Sequence, residues 1–170
     1  MERHGFTLVE LLIGLAISAI LLAMSLPAMQ QQLALMQLSK VLDGGLSQFR
    51  RAQALSVYSG KDVVVVVASG TNWCLATTTA VCNCQVSGDC ISPGELPALS
   101  YVSHPNITLT ENTLSPATHT QFTGGIGTSE GYAGTLTFKS YHLTGKLILS
   151  NLGRVRACIV EFQYGAYDKC

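Results

Sequence analysis

Hydrophobic positions along this chain follow three different patterns. From Phe6 to Met29 they are nearly continuous, and the 24 residues carry a single charge, Glu10. A helix rising ~1.5 Å per residue would stretch this segment over about 36 Å, enough for a ~30 Å hydrocarbon core. Past Pro27 the pattern becomes amphipathic up to about Tyr58: Leu38, Leu42, Gly45, Phe49 and Ala52 recur at spacings of 4, 3, 4 and 3 on one helical stripe. Pro27 removes one intrahelical hydrogen bond and predicts a kink or local melting. Gly44-Gly45 either softens the helix or lets another element pack closely. From residue 59 onward the pattern is that of strands. Val63–Ala68 is an unbroken apolar run suited to a strand buried on both faces. Trp73–Thr78, Ile107–Leu109, Gly134–Phe138, Leu147–Ser150 and Val155–Phe162 are further strand candidates, set apart by Gly, Pro, Ser and Thr clusters. Cys82–Pro97 reads as an irregular loop tied by disulfides. The expected fold class is α+β, divided into a short leader (1–5), an apolar helix (6–29), an amphipathic continuation (30–58) and a β-rich head (59–170).

Composition narrows the function classes. The chain has 170 residues, 48% hydrophobic and only 12% charged, with zero formal net charge. Such a chain is not disordered, and it does not bind nucleic acid through bulk charge. An ordinary secretory signal has a shorter apolar region and an Ala-x-Ala site after it, and neither is present. Arg3 ahead of the apolar run predicts a cytoplasmic N-terminus, with everything after the span outside the cytoplasm. Glu10 is the anomaly: a carboxylate in a membrane helix costs about 2.5–3.5 kcal/mol, so it marks a functional position.

Gly5-Phe6-Thr7-Leu8-Val9-Glu10, followed by the apolar run and Pro27, resembles the processing site of type IV prepilins and type II secretion pseudopilins. The resemblance implies that a prepilin peptidase cuts between Gly5 and Phe6 and methylates the new N-terminal Phe6. Glu10 then becomes the fifth residue of the mature chain and an assembly residue. A new amine at Phe6 and a carboxylate at Glu10 would pair between neighbouring subunits of a helical stack, offsetting the burial cost of either charge alone. Arg51-Ala52-Gln53-Ala54, a Val-rich strand, Trp73 after a turn and a late Gly153-Arg154-Val155-Arg156 together resemble the GspH/FimT group of minor pilins and pseudopilins. The cysteine-containing middle departs from that pattern. The partners implied are prepilin peptidase, other minor and major pilins and the inner-membrane assembly platform. The location implied is the bacterial inner membrane, as a single pass, and then a periplasm-spanning or extracellular pilus.

Six cysteines, Cys74, Cys82, Cys84, Cys90, Cys158 and Cys170, fall on the expected extracytoplasmic side, where disulfides persist. No Cys-x-x-Cys pair suggests a metal. Cys158–Cys170 is the natural pair, since it pins the C-terminus. Cys82 and Cys84 are too close to pair with each other comfortably. This leaves Cys74–Cys82 with Cys84–Cys90, or Cys74–Cys84 with Cys82–Cys90.

Charge is segregated within the neutral whole. Asp62–Phe138 holds five acids and no Lys or Arg, whereas Lys139–Cys170 holds five bases and two acids. Asn151-Leu152-Gly153 reads as a three-residue hairpin loop with Gly in the left-handed position. Ser150 then faces Arg154, Ile148 faces Arg156 and Lys146 faces Cys158. Leu147, Leu149, Val155, Ala157 and Ile159 turn to the core, and Lys146, Ser150, Arg154 and Arg156 share the other face. Arg154 and Arg156 would lie roughly 6.6–6.8 Å apart along one strand, a spacing suited to phosphates gripped by guanidinium forks. In the FimT branch the matching Gly-Arg-x-Arg motif binds DNA during natural transformation. The resemblance thus carries that role to Arg154 and Arg156, and Lys146 joins them by register. The competing expectations are a salt bridge to Glu130 or to a neighbouring subunit, a solvated strand face, or a structural tip subunit that primes assembly of a pilus or pseudopilus without touching DNA.

Other signals carry no chemistry. Arg50 and Arg51 read as a solvated helix flank, and His4, His104, His119 and His142 are scattered. Gly125-Ile126-Gly127-Thr128-Ser129-Glu130 lacks the third glycine of a dinucleotide loop, and Ser59-Gly60-Lys61 lacks the rest of a P-loop. No nucleophile–base–acid arrangement, metal site or cofactor is expected, and an enzyme is not.

Overall fold

The apolar run and the amphipathic stripe form one helix, α1 (Leu8–Ser59), in the computed structural model, which describes residues 7–80, 82–86, 88–90 and 97–170. Nine strands follow: β1 (Val63–Ala68), β2 (Cys74–Thr78), β3 (Leu99–Ser100), β4 (Thr108–Asn112), β5 (His119–Phe122), β6 (Gly134–Ser140), β7 (Leu143–Leu149), β8 (Val155–Ile159) and β9 (Asp168–Lys169). The chain divides into two compact units, Met1–Leu33 and Ala34–Cys170. In the first, every described side chain is exposed, as suits a helix whose apolar surround is lipid or other subunits.

The second unit is built on the stripe. Leu38, Leu42, Phe49 and Ala52 are fully buried against two sheets. One sheet has the order β3-β2-β1-β5 and the other β4-β6-β7-β8-β9; all pairings are antiparallel except β8 with β9. Along β1, Val63, Val65 and Val67 join the helix-facing core. Val64 and Val66 point the other way, into a smaller cluster with Cys74, Ala76, Cys84 and Cys90. The continuous Val run thus reflects burial on both faces, and a disulfide-tied loop supplies the second cover. Cys74 bonds Cys84 and Cys82 bonds Cys90, the second of the two pairings open to the sequence, and Cys158 bonds Cys170.

Gly44 and Gly45 serve close packing. A Cβ at Gly44 would meet Leu99 Cδ1 at 2.9 Å, one at Gly45 would overlap Leu147 Cδ1, and one at Gly145 would meet Leu42 Cδ1 at 2.9 Å. β7 therefore lies directly on the helix.

Two expectations need correction, and three strands were not foreseen. The chain does not melt at Pro27, since α1 continues through it; a proline costs the helix a single N–H donor there, which the remaining ladder absorbs. The strand expected over Val155–Phe162 ends at Ile159, where the Glu161 carboxylate accepts the Thr144 N–H at 2.9 Å and the chain turns back. β3, β5 and β9 carry no apolar run. β5 (His-Thr-Gln-Phe) is held by pairing with β1, and only Thr120 and Phe122 turn inward.

Candidate functional site

The basic segment forms the β7–β8 hairpin in the expected register: Lys146 opposite Cys158, Ile148 opposite Arg156 and Leu149 opposite Val155. Its loop closes through Ser150 N–H to Arg154 O (3.0 Å) and Gly153 N–H to Ser150 O (2.9 Å), with Gly153 at φ +78°. The Ser150 hydroxyl also accepts the Arg154 N–H at 3.1 Å. Space around Gly153 is as restrictive as its dihedral. A Cβ there would overlap the Gly127 carbonyl and come within 2.7 Å of Gln53 Nε2.

The loop tip is anchored from two sides. Ser129 N–H donates to Asn151 O at 2.8 Å, and Gln53 Nε2 of α1 donates to Gly127 O at 3.0 Å. Segment 125–130, set aside in the sequence as an incomplete dinucleotide loop, is thus a turn that seats the hairpin on the helix. Sequence reasoning missed this role for Gln53, Gly127 and Ser129. The paired glycines Gly125 and Gly127, both at positive φ, were the available sign of a tight turn.

Leu147, Leu149 and Ile159 are buried, and Val155 and Ala157 pack against them. On the other face Arg154 and Arg156 are exposed, and an open recess of about 250 Å³ is lined by Ile148, Ser150, Arg154 and Arg156. Neither guanidinium makes an ion pair among the described residues, and Glu130 does not reach them. Lys146 stands apart from the recess. Its cross-strand row runs Glu111, Thr137, Lys146, Cys158, and Thr137 Oγ1 donates to Glu111 Oε2 at 3.2 Å. Glu111 is two strands from Lys146, about 9–10 Å at strand spacing. The Arg156 row, Thr135–Ile148–Arg156, contains no acid. The structure therefore joins the two arginines with Ser150 and leaves Lys146 in a less positive neighbourhood.

Below the hairpin, Cys170 is drawn beside β8 by β9 and by its bond to Cys158, with Cα atoms 5.1 Å apart. Tyr167 ties this strap to α1, donating its hydroxyl to the Asp43 carboxylate and lying 3.2 Å from the Ser39 carbonyl. Burial first, then the Asp43 hydrogen bond and charge, push the Tyr167 phenol well above its ordinary value. Among the described residues no cluster of His, Cys, Asp and Glu could hold a metal.

At the other end of the chain, Gly5 and Phe6 lie outside the described residues. Glu10 does not stand alone. Its Oε2 accepts the Thr7 N–H and the Thr7 hydroxyl, each at 3.0 Å, while Thr7 Oγ1 accepts the Glu10 N–H at 3.3 Å. This reciprocal arrangement is a capping box that starts α1, legible as Thr-x-x-Glu ahead of an apolar run but not recognised from sequence.

No curated protein and no solved structure matches the chain. Residues 1–26 match the family model of the prokaryotic N-terminal methylation motif. That motif, which runs into a long helix leading to a disulfide-bonded β head, gives the chain a prepilin N-terminus of the prokaryotic type IV pilin kind on an α+β pilin-type fold.

Proposed function

We propose that this protein is a minor type IV pilin of the GspH/FimT kind that takes up extracellular DNA through its β7–β8 hairpin. In this reading prepilin peptidase cuts after Gly5 and methylates Phe6. Glu10 then pairs with the N-terminal amine of a neighbouring pilin during assembly by the inner-membrane platform, and the head is carried outward on the pilus. The observation that carries the DNA reading is the pair Arg154 and Arg156, exposed, without an acidic partner among the described residues, and set around a recess that also presents Ser150. Guanidinium forks bind phosphate oxygens bidentately, and a hydroxyl beside them adds a further hydrogen bond without reading sequence. Arg154 and Arg156 are the main DNA-binding residues; Lys146 contributes less because Glu111 shares its row.

The test is DNA binding by residues 30–170, which contain the whole second compact unit, titrated against salt beside the Arg154→Ala/Arg156→Ala variant. Binding should be weak and independent of sequence, and the variant's salt slope should fall by roughly two units. No binding by the wild-type fragment at low salt would overturn this reading.

A second reading has its own observation. Leu152 and Ile126 are 77% and 71% exposed at the hairpin tip and on the turn that seats it. An apolar tip beside two cations suits a contact with another pilin, so a structural subunit that primes a pilus or a secretion pseudopilus is the alternative. Under it, Leu152→Asp and Arg154→Ala/Arg156→Ala would both impair pilus assembly, and residues 30–170 would bind no DNA at low salt.

A further inference from the structure

The strand that carries the two arginines has a backbone edge without cover. At one end of the hairpin Ser150 N–H donates to Arg154 O, and at the other Val160 N–H donates to Thr144 O at 2.9 Å. Residues 154, 156, 158 and 160 therefore turn their peptide groups towards β7, and Val155, Ala157 and Ile159 turn theirs outward. On that outer side β9 pairs only with Cys158 and Ile159. It reaches no further because Tyr167, the residue before it, exchanges both of its peptide hydrogen bonds with Tyr164 and sends its hydroxyl to Asp43. Among the described residues, the Val155 N–H, the Val155 C=O and the Ala157 N–H meet no partner. The edge strands β4 and β5, by contrast, are covered. Leu109 exchanges hydrogen bonds with Gly70 at 2.9 and 3.3 Å, and Gln121 O accepts the Ser129 hydroxyl at 2.9 Å.

An open edge specifies its occupant through its own chemistry, an extended backbone that adds a strand. Alternation then specifies the side chains. Arg154 and Arg156 stand exposed on one face of β8, while Val155 and Ala157 pack against the core on the other. A matching strand carries acidic residues at alternate positions and apolar ones between them. A second copy of β8 is unsuited, because two-fold pairing would set the arginines of both copies against each other. The methylation motif implies assembly with other pilins, and these are the chains that come within reach.

We propose that the free edge of β8 takes up an extended segment of a neighbouring pilin subunit as an added strand, with acidic side chains of that segment on Arg154 and Arg156. The contact uses the backbone edge and stands whether or not the hairpin binds DNA. Its test uses the full chain in zwitterionic detergent micelles at low salt, with a capped peptide, Thr-Val-Glu-Val-Glu-Val-Thr, as the probe. Adding the peptide should slow amide exchange at Val155 and Ala157 by about tenfold, and leave Arg156, already bonded to β7, unchanged. Methylating alternate peptide nitrogens should weaken binding by about tenfold, the effect of one lost hydrogen bond, and methylating those between by less than about twofold. Ala157→Pro removes an outward N–H that β7 does not use and should abolish binding. Should that variant fail to fold, the methylated peptides carry the test on the wild-type chain. Binding without exchange protection, or equal loss at every methylated position, reduces the contact to charge attraction and overturns the proposal. No binding overturns it too, and makes the arginines guards that keep the edge unpaired. So does protection that grows with protein concentration in the absence of peptide, which assigns the edge to a second copy.

Discussion

Glycine placement carries much of the detail at the residue scale. At Gly45, alanine would gain about 1 kcal/mol of helix propensity, yet its Cβ would overlap Leu147 Cδ1. Overpacking of this kind costs about 1–3 kcal/mol, so Gly45→Ala should lower the thermal midpoint of residues 30–170 by a few degrees. Gly153→Ala should cost more, because the left-handed backbone alone opposes alanine by about 1–2 kcal/mol and the Gly127 carbonyl leaves no room. Its distinctive sign would be weakened DNA binding with Arg154 and Arg156 intact, since the loop tip that sets their strand would move. Circular dichroism melts and the salt titration check both. The sequence marked Gly153 as a left-handed turn residue. It did not reveal the second constraint, because the Gly127 carbonyl is 26 residues away in the chain.

At the scale of elements, the C-terminal strap is the clearest case of structure adding to sequence. Cys158–Cys170 was legible as a pair, but two-residue β9 and the hydroxyl of Tyr167 on Asp43 were not, since neither has an apolar pattern. The strap predicts a pH dependence. The Tyr167 phenol is raised in the fold above its ordinary 10.0, so the neutral form is the one the fold favours. Its contribution is complete below about pH 10, the unfolded-chain value, and is lost as pH rises from there towards the folded value. Stability of residues 30–170 should therefore fall above pH 10, and Tyr167→Phe should flatten that part of the profile while leaving the rest unchanged. Chemical denaturation at a series of pH values measures it. If the two profiles stay parallel above pH 10, the Asp43 contact carries no linkage.

For the whole molecule, the division at Leu33–Ala34 separates a helical segment without a core of its own from the packed head. All the described core residues lie from Ala34 onward, and all the described side chains before it are exposed. Residues 30–170 should therefore unfold cooperatively, with a midpoint within about 2 °C of the head's transition in the full chain in detergent, since no core contact is lost on truncation. A markedly lower midpoint would show that the apolar segment supports the head. Zero net charge makes any DNA binding a local property of the hairpin, so removing the charge of exposed Lys40, thirteen residues along α1 from the Gln53 that holds the hairpin tip (about 20 Å at helical rise), should leave the salt slope unchanged.

Features set by near neighbours in the chain were already decided in the amino-acid sequence: the apolar run, the stripe from Leu38 to Ala52, the doubly buried Val63–Ala68 and the β7–β8 register. Each follows from a period or a turn, which depends on residues a few positions apart. The methylation motif is local in the same way. Tertiary structure alone decided which cysteines pair across the outer face of β1, that Gly44 and Gly45 admit β3 and β7, that Gln53 and Gly127 hold the hairpin tip, and that Lys146 shares a row with Glu111 while the two arginines share a recess. Those outcomes depend on contacts between residues tens of positions apart, whose cost in chain entropy is met only when the whole core closes.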